Sequence, residues 1–153
     1  MRLAYLVVGC LPIFVPTSLA QTSGVSSVTK APGDKVTLDI MANSPAKATV
    51  ALKWDVIFPA QLMEMDVAPE TGSAAKDSGK SLQCTARKPY VYACVLSGGQ
   101  KPIADGKIAI FHFKIRTTAK PGTTTLRIEK VEATMTNSKE VILNNTETTV
   151  IIR

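Results

Sequence analysis

From Ala109 the chain alternates: Phe111, Phe113 and Ile115 fall on one side, while His112, Lys114 and Arg116 fall on the other. That is the period of a strand with one buried face. The run Ala119-Lys120-Pro121-Gly122-Thr123 then imposes a turn, because proline has no amide to donate and glycine reaches conformations closed to other residues. Leu126 and Ile128 resume the alternation, and Val131 falls out of phase with them, which predicts a bulge.

Upstream the same reading repeats. Val25 to Thr29 leads through the turn Ala31-Pro32-Gly33-Asp34 to Val36, Leu38 and Ile40, which alternate with Lys35, Thr37 and Asp39. Between Ala48 and Phe58, Leu52, Trp54, Val56 and Phe58 face one way and Lys53, Asp55 and Ile57 the other, so Trp54 is expected in the core. A turn at residues 59 to 61 precedes a strand from Leu62 to Val67, and residues 68 to 80, rich in Pro, Gly, Ser and Ala, read as a surface loop. Leu82 to Ala86 and Tyr90 to Leu96 form a hairpin about Arg87-Lys88-Pro89, which would put Tyr90 and Tyr92 on one side of a strand. Val141 to Leu143 and Thr148 to Ile152 close the chain. Eight or nine short strands with regular turn signals and no convincing amphipathic helix predict an all-β antiparallel sandwich of jelly-roll topology.

The first twenty residues follow another logic. Arg2, the apolar run Leu3 to Val15, and the small-residue segment Ser18-Leu19-Ala20 have the layout of a secretory signal peptide cleaved after Ala20. The apolar run is short for a membrane span. Residues 21 to 153 are then one domain, exported to the periplasm, the cell surface or the medium. The whole chain carries a formal charge of +6; losing Arg2 lowers it to +5. The basic residues are scattered without an arginine-rich stripe, which excludes nucleic acid as the expected partner.

Of the three cysteines only Cys84 and Cys94 lie beyond the leader, and an exported pair meets an oxidising compartment. Folding the hairpin about position 89 sets them directly opposite one another, within reach of a disulfide. With a lone histidine they make a poor metal site, and no metal or cofactor is expected. His112 stands mid-strand with no nucleophile in a recognisable order around it. Glu64 and Asp66 share one wet strand face, whereas glycosidase carboxylates sit across a cleft. A noncatalytic role follows.

Three segments carry a family resemblance: Ala-Pro-Gly-Asp-Lys-Val (31 to 36) opening a long strand, the Trp54 strand running into Phe58-Pro59-Ala60-Gln61-Leu62, and Asp105-Gly106 before the strand of residues 108 to 115. With Lys120-Pro121-Gly122-Thr123-Thr124-Thr125-Leu126 they resemble a cohesin domain over nearly the whole chain beyond the leader. The resemblance implies a nine-stranded jelly roll, related in fold to carbohydrate-binding modules, and a dockerin-like protein partner held on a sheet face. That face would contain the Trp54 strand and the cysteine hairpin, making Lys53, Asp55, Gln83, Thr85, Tyr90 and Tyr92 the candidate contact residues. The chain departs from the family in its cysteine pair and in Phe58, which stands where an acidic residue commonly precedes the proline. The alternative is a carbohydrate-binding accessory of a polysaccharide-degrading or cell-surface system, which requires exposed flat aromatics.

Overall fold

The computed structural model describes residues 20–21, 27–43 and 48–153. The expected leader lies outside these residues except for Ala20, whose backbone pairs with Ala42. The strands are β1 (Ala20–Gln21), β2 (Ser27–Lys30), β3 (Lys35–Ala42), β4 (Thr49–Ile57), β5 (Met63–Thr71), β6 (Ser81–Lys88), β7 (Val91–Ser97), β8 (Gly106–Ile115), β9 (Gly122–Met135), β10 (Glu140–Ile142) and β11 (Thr146–Ile152). Among the described residues a single helix, α1 (Ser73–Asp77), interrupts them.

Two sheets face each other. The smaller runs β1-β3-β8-β5; the larger runs β2-β11-β9-β4-β7-β6, with β10 also paired to β9. Among the described residues every pairing is antiparallel except β2 with β11, a departure from the purely antiparallel expectation. The alternation explains the core. Val36, Leu38 and Ile40 of β3 and Phe111, Phe113 and Ile115 of β8 point inward from one sheet, and Leu52, Trp54 and Val56 of β4 from the other. Removing this apolar surface from water is the main stabilising force.

The bulge predicted near Val131 is present. Lys53 pairs with Glu132 but Asp55 pairs with Glu129, so one extra residue is taken up on β9. Lys130 within this irregularity has φ 52°. The slip lets Leu126 and Ile128 on one side of it, and Val131 and Ala133 on the other, all reach the core.

Residues 68 to 80 are not the plain surface loop expected. Strand β5 continues to Thr71 across two register shifts, which erase the alternation, and it tolerates Pro69 because it is an edge strand. Ser73-Ala-Ala-Lys-Asp77 then forms α1 with Ala74 and Ala75 buried, alanine being the strongest helix former. The Ser78 hydroxyl donates to the Ala74 carbonyl at 2.8 Å and accepts from the Ala104 amide at 2.7 Å. Lys80 is buried too, its ammonium donating to the Gly98 carbonyl at 2.6 Å. Burial holds its pKa below the ordinary lysine value.

Cys84 and Cys94 are joined, with Cα atoms 4.1 Å apart in register across β6 and β7. Cys94 lies in the core beside Trp54, its partner across β4. The bond therefore fastens the edge strand β6 to the sheet. Replacing both cysteines by alanine is expected to cost between about 2 and 3 kcal/mol, given the short loop closed. Urea unfolding with and without reductant checks this; a wild-type midpoint that reductant does not move would refute it.

Candidate functional site

The register of the larger sheet assembles two rows on its outer face. Gln83 pairs with Val95, Val95 with Lys53, Lys53 with Glu132, and Glu132 with Ile142. Neighbouring strands lie about 4.8 Å apart, so this first row spans about 19 Å. In the second row Thr85 pairs with Ala93 and Ala93 with Asp55. Lys53, Asp55, Gln83 and Thr85 thus share one face, because each sits at an odd position of a strand whose even positions enter the core.

Tyr90 and Tyr92 do not share a side of a strand. Tyr92 points inward, its ring centroid 5.9 Å from that of Phe58. Tyr90 belongs to the turn between β6 and β7, which begins later than the sequence suggested because β6 runs on to Lys88. It lies just before β7, which begins at Val91, so the strand alternation that carries Tyr92 inward does not extend to it. The Tyr90 side chain is 44% exposed, with the Lys88 ammonium 5.8 Å from its ring centroid.

Ion pairs tie the face together. Lys53 Nζ meets Glu132 Oε2 at 2.7 Å and Lys130 Nζ meets Asp55 Oδ2 at 3.2 Å. The hydrogen bond to Glu132, with its negative charge, raises the Lys53 pKa above the ordinary lysine value. The pair's contribution to stability is therefore whole below the ordinary lysine range and is lost only as pH climbs through the raised value. Asp55 points outward as expected but is not open to a partner: Lys130 stands by it and its side chain is only 7% exposed.

Two aliphatic residues complete the face and were not singled out from the sequence. Val95 is 39% exposed and Ile142 is 82% exposed, at opposite sides of the Lys53–Glu132 pair. The phase of Val95, opposite to that of Cys94, was a signal available in the sequence. The position of Ile142 was not, since β10 and β11 both join the same edge of β9, and only that pairing brings residue 142 beside Glu132.

The outer face of the smaller sheet differs. Cross-strand polar contacts cover it: ion pairs of Lys35 with Asp66 at 2.8 Å and of Arg116 with Glu64 at 2.9 Å, and a hydrogen bond between His112 Nε2 and Glu70 Oε1 at 3.1 Å. The hydrogen bond from Lys35 lowers the Asp66 pKa below the usual carboxylate value. Glu64 and Asp66 are each engaged with a different cation, as two acids on a solvated face should be. Among the described residues no group of three or more His, Cys, Asp or Glu side chains is arranged to hold a metal ion, and no helix is long and apolar enough to cross a membrane.

A family model described as the Cohesin domain matches residues 22–152. Similar solved structures include a type I cohesin from Clostridium thermocellum in complex with a dockerin, at 18% identity and TM-score 0.71 over 83% of this chain and 94% of that one. A non-cellulosomal cohesin from the archaeon Archaeoglobus fulgidus aligns at 13% identity and TM-score 0.67, covering 84% of this chain and 86% of its own. The cohesin module of a Clostridium perfringens family 33 glycoside hydrolase aligns at 10% identity and TM-score 0.70, covering 90% and 98%. No curated protein matches the sequence.

Proposed function

The chain belongs to the cohesin family, a family of noncatalytic interaction domains, and from that premise we propose that it is an exported module binding a dockerin-like protein through the outer face of β9-β4-β7-β6. The observation that carries the reading is the first row: two exposed aliphatic side chains, Val95 and Ile142, on either side of a neutralised Lys53–Glu132 pair. A surface of this kind gives a protein partner apolar area to bury on both sides of a charge pair that fixes its orientation. Gln83 and Thr85 extend the surface toward the edge strand. Export rests on the leader-like residues 1 to 20 and on the Cys84–Cys94 bond, which fits an oxidising compartment.

Neither row carries an aromatic ring, so the two rows themselves offer a sugar no stacking platform. The test is capture of a calcium-loaded dockerin domain from the same host on the immobilised protein, with and without chelator. Val95→Asp is expected to weaken binding at least tenfold, about 1.4 kcal/mol, in a protein that stays folded at the assay temperature, the change costing about 1 kcal/mol of strand propensity. Capture unaffected by both chelator and Val95→Asp would dismiss the proposal.

A further inference from the structure

Beyond the docking face, the larger sheet carries a groove. At the end of β4 a cleft of about 420 Å³ opens over Thr125 and Arg127 of β9 and Glu147 of β11, walled by Gln61 and Tyr90. A second cleft of about 400 Å³ shares Arg127 and Glu147 and continues past Glu129 to Asn145. Each falls within the range of small-ligand sites. Together they follow β9 from residue 124 to 129, about 17 Å at the rise of a strand, the length of roughly three linked pyranose rings.

The chemistry of the lining narrows the ligand. The groove presents a guanidinium, two carboxylates, two amides and threonine hydroxyls, which offer donors and acceptors in the mixture that sugar hydroxyls need. Asn145 spends its carbonyl oxygen on the Lys130 amide at 3.1 Å, leaving its amino group to donate. Arg127 is partly neutralised by Glu129 at 3.0 Å and stands directly opposite Glu147. Counting Arg127 against Glu129 and Glu147 leaves no positive excess, so the groove does not suit a polyanion. Nor does it suit an added peptide strand, because at Arg127 both edges of β9 are already paired, with Ile57 and with Glu147. The exposed Tyr90 ring, with the Lys88 ammonium over one face, supplies on its other face a flat apolar surface against which the C–H face of a sugar packs.

The walls are fixed in advance. The Tyr90 carbonyl accepts from the Phe58 amide at 3.1 Å. On the other wall, Arg116 Nε donates to the Ala60 carbonyl at 2.8 Å, and the Pro59 carbonyl accepts from the amides of Leu62 and Met63. A rim held this way loses little entropy when a ligand enters.

We infer that this groove binds a neutral oligosaccharide segment, with Tyr90 as the stacking platform and Arg127, Glu147 and Asn145 as hydroxyl partners. The experiment is affinity electrophoresis of the folded protein in gels containing hydroxyethyl cellulose, barley β-glucan, galactomannan, pullulan or glycol chitin, beside gels containing alginate or polygalacturonate. Retardation in at least one neutral gel is expected, reduced fivefold or more by Tyr90→Ala and by Glu147→Gln in proteins whose melting temperatures match the parent. No retardation in any neutral gel, retardation by the acidic polymers alone, or retardation that both variants retain would overturn the assignment.

Discussion

Phe113→Ala is expected to destabilise the protein by about 4 kcal/mol, within the range for emptying a large aromatic site, and to lower the melting temperature by about 12 °C. Phe113 is fully buried on β8, a strand with neighbours on both sides. Its ring centroid lies 5.3 Å from that of Phe58 and 6.4 Å from that of Phe111. Phe58 belongs to the segment that closes the larger sheet, so the pair joins the two layers directly. The surroundings cannot collapse into the vacancy, because Val36 and Met65 flank Phe113 in register on β3 and β5. Urea unfolding is the measurement. A loss below about 1.5 kcal/mol would mean that the layers repack freely, contrary to a close-packed interior.

Gly72→Ala is expected to cost at least about 3 kcal/mol, at the upper end of overpacking effects. A methyl carbon at residue 72 would lie 2.3 Å from the Lys107 carbonyl oxygen and 2.7 Å from the Ile108 nitrogen, both backbone atoms that no rotamer change can move. Relief requires the end of β5 to part from β8, which would break the bond from the Gly72 amide to the Ile108 carbonyl, now 2.9 Å. Gly122→Ala is the control: nothing lies within 4 Å of the added carbon, and its effect should stay within about 0.5 kcal/mol. Equal melting temperatures for the two variants would refute the close approach.

The sequence disclosed most of this architecture because its long strands have one wet face and one dry face, and alternation is a direct record of that asymmetry. The disulfide was legible for the same reason: a hairpin fixes register, and register fixes which side chains oppose each other. Even the slip on β9 showed, since Val131 broke phase. What stayed hidden lacks a period. Strand β5 beyond Val67 is broken by two register shifts, and α1 spans only five residues, too few for a helical repeat to declare itself.

At the proposed sites the same division holds. Lys53, Asp55, Gln83 and Thr85 were found by counting along single strands, and all four share one face. Their availability was not foreseeable, because the Lys130 side chain that covers Asp55 arrives from 75 residues away in sequence, across the register shift of β9. Tyr90 lies in the hairpin turn and not on a strand, because β6 extends to Lys88 and β7 begins only at Val91. The groove beside it depends on β11 lying against β9, a long-range pairing that no local pattern encodes.

The register slip at Lys130 divides β9 into two lengths with separate duties. The earlier length, joined to β11, floors the groove; the later length, joined to β10, carries Glu132 into the docking row. Because the extra residue is absorbed between them, a lengthening or shortening of the turn before β10 would be taken up locally and would not slide Arg127 out of line with Glu147. One continuous ribbon can in this way be altered at either end without disturbing what the other end recognises.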